Sequence, residues 1–88
     1  MDLWICSIYD CNSMREIILG AYSTQELAEG NARAWVMDKG TDVEVVDRSV
    51  GFDKELIYYK VFEVILGCPI ESYYTATIEK FTLDADAF

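Results

Sequence analysis

The side chains in this sequence that could do chemistry are three cysteines and sixteen carboxylates, in a chain without histidine. Because histidine is missing, the chain has no Ser-His-Asp or Cys-His arrangement and no imidazole ligand for a metal. Cys6 and Cys11 have four residues between them, but no second cysteine pair completes a zinc site. A reactive cysteine also needs a base or an electropositive environment. We therefore expect Cys6 to pack in the core and Cys11 to lie exposed in a turn.

The carboxylates offer no reason to choose a catalytic pair. Sixteen acids among 88 residues bring some pairs together by chance, and a glycosidase needs a defined separation between two of them. No two glycines form the G-x-G of a phosphate loop. Asp84 and Asp86 could contact a cation, but they lack the loop pattern of a calcium hand. We predict that the chain is not an enzyme and holds no cofactor and no metal.

Composition limits the possible partners. The net charge of -9 disfavours direct binding to nucleic acid and to an anionic membrane surface. There is no secretion signal and no apolar run of the roughly 20 residues that cross a bilayer. An odd number of cysteines in or beside apolar strands favours reduced thiols, and hence the cytoplasm. With 14% aromatic residues and one proline, residues 1–88 are expected to form a single folded domain with a tail that frays from about residue 84.

The clearest local signal is a helix that begins at Ser23. Ser23 and Glu26 have the spacing of a capping box, which predicts Ser23 as the N-cap. Tyr22 and Leu27 then have the spacing of a hydrophobic staple. Gly40 is well placed to end the helix, because glycine readily adopts the left-handed conformation found just after a helix.

Five further segments are rich in β-branched and aromatic residues and predict strands. They are residues 3–10, 15–22, 42–50, 56–66 and 72–83. Residues 56–66 are long enough for a helix, but their composition favours a strand. Gly20 indicates a bulge or a close backbone approach in the second strand. The sequence therefore predicts an α+β domain in the order β-β-α-β-β-β, with one helix packed on one face of a mainly antiparallel sheet.

Residues 56–66 are apolar at even and at odd positions, so both of their faces are apolar. A single helix covers only one face of a small sheet. The second face could be covered by curling of the sheet itself, by a second copy of the chain or by another protein. Because Tyr58 and Tyr59 are adjacent in a strand, their rings point to opposite faces.

The acids are concentrated in the second half of the chain. Residues 1–40 carry a net charge of -3, and residues 41–88 carry -6. Asp42 and Glu44 share one strand face at a separation of about 6.6 Å, so their carboxylates could imitate phosphates. The residues that we predict to bind a partner are Asp42, Glu44, Asp47, Asp53, Glu55, Tyr58 and Tyr59. The acids would steer association, and the tyrosines would supply most of the affinity.

A short, acidic, histidine-free chain with a hairpin, a capped helix and further strands resembles the small proteins that phages and mobile elements encode. Among these are anti-CRISPR and related anti-defence inhibitors, many of which cover a nucleic-acid site on their target. The resemblance implies an inhibitor that acts in the cytoplasm of a bacterial host and binds a protein with a basic surface. The alternative is a small structural or regulatory homodimer of phage or bacterial origin. An enzyme that uses two carboxylates is a third hypothesis.

Overall fold

The computed structural model of the chain describes residues 1–82. Five antiparallel strands form one open sheet with one helix, which confirms the predicted fold class and element order. The elements are β1 (Asp2–Asp10), β2 (Arg15–Tyr22), α1 (Gln25–Met37), β3 (Asp42–Val50), β4 (Lys54–Ile65) and β5 (Cys68–Thr82). The tail predicted to fray from about residue 84, and the pair Asp84 and Asp86 within it, lie outside the described residues.

The sheet has the strand order β2-β1-β5-β4-β3. Hairpins join β1 to β2, β3 to β4 and β4 to β5. The first strand, β1, pairs with the last, β5, near the centre of the sheet. The helix α1 connects β2 to β3, which are the two opposite edges. It therefore crosses the whole sheet, and one face is covered while the other is left open.

The helix begins one residue later than the sequence predicted. Thr24 is the N-cap, because its hydroxyl accepts a hydrogen bond from the N–H of Leu27 at 3.2 Å. The prediction of Ser23 as the N-cap was therefore wrong, and so was the predicted staple, because with Thr24 as the N-cap the N′ and N4 residues are Ser23 and Ala28. Both Ser23 and Thr24 are good capping residues, so composition alone could not choose between them.

Gly40 is required by close packing, not by a left-handed cap. The residue that caps the C-terminus of α1 is Asp38, which has right-handed helical dihedral angles. A Cβ atom at position 40 would lie 2.5 Å from the carbonyl oxygen of Phe62 and closer still to Val61. The chain leaves the helix against β4, and the N–H of Thr41 donates to that same carbonyl at 2.9 Å.

The core lies between α1 and the face of the sheet that it covers. Small or branched helix residues pack on alternate residues of the three central strands, and the short alanine side chains let the helix approach the sheet closely. The buried apolar residues are Cys6, Ile8, Ala28, Ala32, Val36, Ile57, Tyr59, Val61, Tyr74, Ala76 and Ile78. Cys6 is in the core as predicted, and its burial raises the pKa of the thiol to about 11. Cys11 is exposed, also as predicted.

Two bulges set which residues share a face. Cys6 is opposite Gly20 and Ser7 is opposite Ile18, so Leu19 is an extra residue in β2, which confirms the predicted bulge. A second bulge in β3 was not predicted. Val45 is opposite Tyr59 and Asp47 is opposite Tyr58, so one extra residue stands between them.

Residues 56–66 were correctly predicted as strand, but the end of this region differs from the prediction. The two predicted strands leave residues 67–71 between them, whereas the reversal takes only Leu66 and Gly67, and β5 begins at Cys68. β3 pairs with β4 only as far as Phe62, and β1 pairs with β5 only as far as Tyr74. Residues 63–70 therefore form a two-stranded ribbon beyond the sheet, which we call the arm. Within residues 1–82, no helix is long and apolar enough to span a membrane.

Candidate functional site

The candidate site is the open face of the sheet, on the side opposite α1. Residues that pair directly across neighbouring strands point to the same side, so the register defines the members of this face. They are Leu3, Ile5, Ser7, Tyr9, Glu16, Ile18, Ala21, Asp42, Glu44, Asp47, Ser49, Lys54, Leu56, Tyr58, Lys60, Phe62, Glu71, Tyr73, Thr75, Thr77, Glu79 and Phe81.

Acids line one margin of the open face, and aromatic residues lie beside them. From the edge strand β3 inwards, Glu44 is opposite Lys60, which is opposite Tyr73. In the next row Asp47 is opposite Tyr58, and the same row continues through Thr75 and Tyr9. A partner that covers this part of the face would meet carboxylates and phenol rings together.

One group of polar contacts fixes the side chains in the aromatic region. The ammonium of Lys60 lies 3.4 Å from a carboxylate oxygen of Glu71 and 4.9 Å from the ring centre of Phe62. The hydroxyl of Tyr73 donates to the other carboxylate oxygen of Glu71 at 3.0 Å, which raises the pKa of that phenol. Tyr73 remains 42% exposed, so its ring is held in place while it is still accessible.

The two sides of the molecule differ in charge. Among residues 1–82, six carboxylates and two lysines lie on the open face: Glu16, Asp42, Glu44, Asp47, Glu71, Glu79, Lys54 and Lys60. The side that carries α1 has seven carboxylates and five bases: Asp2, Asp10, Glu26, Glu29, Asp38, Glu55, Glu63, Arg15, Arg33, Lys39, Arg48 and Lys80. The bases are therefore gathered on the helix side, and the open face is the more acidic of the two.

Four of the seven predicted site residues lie together on the open face. Asp42 and Glu44 are in alternate positions of β3, as predicted, and Asp47 joins them because the bulge shifts the alternation by one residue. Tyr58 is directly opposite Asp47. Asp53 is exposed in the turn between β3 and β4, where its carbonyl accepts a hydrogen bond from the N–H of Lys80 at 2.7 Å. It stands beyond the end of the face.

Glu55 and Tyr59 were predicted to bind a partner, and these two predictions were wrong. Odd-numbered positions of β4 point under α1, so Glu55 is only 5% exposed and Tyr59 only 2%. Glu55 is bound by Arg48 at 3.1 Å and by the side-chain amide of Gln25. The ring of Tyr59 is a core residue, and burial raises the pKa of its hydroxyl. Both side chains are used inside the fold.

Several residues of the open face were not predicted, chiefly Tyr73, Phe62 and Glu71. The adjacent residues Tyr73 and Tyr74 place one ring on each face, because Tyr74 is in the core and Tyr73 is exposed. The sequence did not reveal which member of the pair would be accessible. The pairing register of β4 with β5 supplies that information.

The described residues contain no group of three or more cysteine or acidic side chains placed to hold a metal ion. A cleft of about 250 Å³ lies at the end of the sheet near the start of α1, with Trp4, Phe52 and Lys80 among its lining residues. Lys80 is already engaged there, since its ammonium lies 3.7 Å from Asp2 and 5.7 Å from the ring centre of Trp4. No protein-family model, no curated protein and no solved structure matches this chain.

Proposed function

We propose that this protein is a non-enzymatic inhibitor that binds a nucleic-acid-binding protein and covers its basic surface. The observation that carries the proposal is the open face, where six carboxylates and two lysines surround accessible aromatic rings. A basic surface that normally receives phosphates is the complementary partner for such a face.

The open face combines the two components of a specific protein interface. Tyr58, Phe62 and Tyr73 lie on adjacent central strands, and aromatic side chains of this kind contribute most of the affinity when a partner buries them. Asp42, Glu44 and Asp47 lie at the margin, where charges mainly speed the encounter and fix its orientation. The arrangement supports a function that depends on binding.

The spacing of the marginal acids supports mimicry of a nucleic-acid backbone. Asp42 and Glu44 are two residues apart on one face of β3, which corresponds to about 6.6 Å. Two phosphate steps of one DNA strand rise about 6.8 Å along the helix axis. The spacing of the two carboxylates is therefore comparable with the axial spacing of charges on a nucleic-acid strand.

The alternative function, a homodimer that buries the open face between two copies, is disfavoured by charge. Two sheets that stack face to face lie about 10 Å apart. This arrangement would bring the six carboxylates of one copy against the six of the other. A basic partner avoids that repulsion.

We place the protein in the cytoplasm of a bacterial host, in agreement with the resemblance to anti-defence inhibitors. Cys11 and Cys68 are exposed thiols, and exposed thiols are kept reduced in the cytoplasm.

The test compares two matched double variants of the tagged protein. Asp42→Lys with Glu44→Lys reverses charge on the open face, and Glu26→Lys with Asp38→Lys makes the same change on exposed positions of the helix side. Proteins captured from a bacterial lysate are identified by mass spectrometry, and the captured target is purified. Association and dissociation rates are then measured at low and high salt.

We expect the open-face variant to associate at least about tenfold more slowly at low salt, which is about 1.4 kcal/mol in the activation free energy of association. The helix-side variant should behave like the unchanged protein. We also expect the unchanged protein to compete with nucleic acid for the target. Equal association rates for the two variants, or a ternary complex with nucleic acid, would contradict the proposal.

A further inference from the structure

The arm, residues 63–70, exposes aliphatic side chains beyond the sheet. It pairs only with itself over three rungs, from Glu63 opposite Ile70 to Ile65 opposite Cys68, and so projects by about 10 Å. Its exposed aliphatic residues are Val64, Ile65, Leu66 and Ile70. A two-stranded ribbon is only marginally stable on its own, so an apolar surface at this place is best explained by a contact outside the chain.

Leu66 is the most unusual residue of the arm. It is 98% exposed, and its φ of 53° lies in the left-handed region that leucine rarely adopts. Gly67 follows with a φ of 79°, and two such residues in succession form the two-residue turn that favours Asn-Gly. The sequence thus places a strained, exposed aliphatic side chain where asparagine would be more stable. Strain of this kind is found most often at binding and switch sites.

The pairing of β4 with β5 makes the arm a continuation of the open face. Phe62 is opposite Glu71 on that face, and in the next row on the same side Val64 is opposite Pro69. Val64 is 63% exposed. Among residues 1–82, no other strand pairs with the arm. The apolar surface that begins at Phe62 therefore extends along the arm to its tip at Leu66.

The other side of the arm is apolar as well. Ile65 and Ile70 point to the helix side, and both are more than one third exposed. A flat surface would cover only one side of such a ribbon, whereas a cleft covers both sides and the tip. Glu63 is the only charged residue of the arm. The complementary partner surface is therefore an apolar cleft, and its place is beside whatever the open face binds.

We propose that the arm is a second contact element of the inhibitor, and that its aliphatic tip enters an apolar cleft beside the basic surface of the target protein. The inference rests on the proposed function, because the arm continues the face that we assign to the target. Open-face acids speed the encounter, whereas burial of the leucine side chain slows dissociation. Basic surfaces are common to nucleic-acid-binding proteins, so the arm is the element that distinguishes one target from another.

Two other occupants fit the arm less well. An anionic membrane surface is disfavoured because the arm contains no base and continues the acidic open face. Addition of a foreign strand along β5 is disfavoured because Pro69 has no N–H to donate.

The experiment measures binding of the full chain to the purified target at low and high salt. Leu66→Asn removes the aliphatic tip and creates an Asn-Gly turn, so a weaker complex cannot be attributed to a weakened hairpin. Val64→Thr replaces one methyl group by a hydroxyl and keeps the β-branched shape that suits a strand. Val50→Asn is the matched control, because it changes an aliphatic residue that is 73% exposed and lies opposite Glu55, at the end of β4 far from the arm.

We expect Leu66→Asn to dissociate from the target about tenfold faster at both salt concentrations, because salt does not screen an apolar contact. Val64→Thr should dissociate about threefold faster, and Val50→Asn at the rate of the unchanged protein. All three should associate as fast as the unchanged protein, in contrast to the variant with lysine at positions 42 and 44.

The stability of Leu66→Asn provides a test that needs no target. Urea denaturation should find this variant at least as stable as the unchanged protein, since asparagine suits the turn better. A loss of stability would show that Leu66 serves the fold, and would overturn the inference. Sedimentation velocity and phosphatidylglycerol vesicles test the other occupants. Self-association, or vesicle binding, that Leu66→Asn abolishes would also overturn it.

Failure of this inference is distinguishable from failure of the proposed function. If Leu66→Asn dissociates at the unchanged rate while the open-face variant associates slowly, only the role of the arm is refuted. If the two charge variants associate equally fast while Leu66→Asn dissociates faster, only the proposed function is refuted. A chain that binds no target contradicts both.

Discussion

The two faces of β4 are built from similar apolar residues, yet only one of the two faces is completely buried. On the helix face, Ile57 and Val61 are completely buried beneath α1. On the open face, Leu56 and Phe62 are only partly covered, by their neighbours in the sheet. The difference shows that apolar composition alone does not decide burial. The one helix within residues 1–82 can cover only one side.

Acidic residues also differ between the two sides. Glu55 on the helix face is enclosed in a network with Arg48 and Gln25, and Arg48 also binds Glu29. Asp42 and Glu44 on the open face are exposed to water. A carboxylate that is used within the fold has a structural role, whereas an exposed one beside aromatic rings remains available to a partner.

The largest difference should appear between adjacent residues of β4. We expect Ile57→Ala to lower the free energy of unfolding by about 3 kcal/mol, because it leaves a cavity in a closed core. Leu56→Ala, one residue away on the open face, should cost about 1 kcal/mol or less, since the site is already partly hydrated. Urea denaturation of both variants measures the difference.

Equal costs for Ile57→Ala and Leu56→Ala would contradict this comparison. They would mean that the open face is covered in solution. Repeating the urea titration at two protein concentrations distinguishes coverage by a second copy, since dimer stability depends on concentration.

A smaller difference is expected for the acids. Glu55→Gln removes the charge that holds Arg48 and should cost about 1–3 kcal/mol in the free energy of unfolding. Glu44→Gln, on the open face, should change it by no more than about 0.5 kcal/mol. Thermal denaturation of the two variants, at the same ionic strength, provides the measurement. A large loss of stability in Glu44→Gln would assign a structural role to the open-face acids.

The sequence could predict the elements of this fold, but it could not assign their faces. Hairpin turns, a helix of favourable composition and short β-branched segments gave the correct order and nearly correct boundaries. Leu56 and Ile57 have similar hydrophobicity, however, so nothing local indicated which of them α1 would cover. The mistaken choice of Glu55 and Tyr59 as contact residues follows directly from this ambiguity.

The bulge in β3 is a second feature that could not be predicted from the sequence. Asp42, Glu44 and Asp47 were proposed as one group, although strict alternation would place Asp47 on the side opposite the first two. They share a face only because one extra residue precedes Asp47. Neither Val45 nor Val46 is a glycine or another residue type that indicates a bulge, so only the pairing of β3 with β4 reveals it.

The helix that creates the closed face depends on its cap. Thr24→Ala should lower the free energy of unfolding by about 1 kcal/mol, because the N–H of Leu27 loses its acceptor. Ser23→Ala should change it by only a few tenths of a kcal/mol, since the hydroxyl of Thr24 already provides the cap. Circular dichroism during urea denaturation measures both. A greater loss of stability in Ser23→Ala than in Thr24→Ala would show that Ser23 is the N-cap, as the sequence predicted.

The smallest effect concerns a carboxylate at the end of β1 on the helix side. Asp10 accepts hydrogen bonds from the N–H groups of Asn12 at 2.9 Å and Ser13 at 3.3 Å. Burial acts to raise the pKa of Asp10, but these hydrogen bonds outweigh it and, with the charge of Lys39, lower the pKa below its usual value. The stabilisation is therefore present above the unfolded pKa of about 4 and is lost as pH falls through the folded pKa.

Asp10→Ala should therefore be less stable than the unchanged protein near neutral pH, and the gap should narrow as the pH is lowered well below about 4. Urea titrations at a series of pH values measure this gap. Glu16→Ala, on the open face of the next strand, is the matched control and should be close to the unchanged protein at neutral pH. A gap for Asp10→Ala that stays constant down to the lowest pH would show that the side chain contributes by turn geometry alone. In that case the charge of Asp10 on the helix side would contribute no more to the stability of the fold than the charge of Glu16 on the open face.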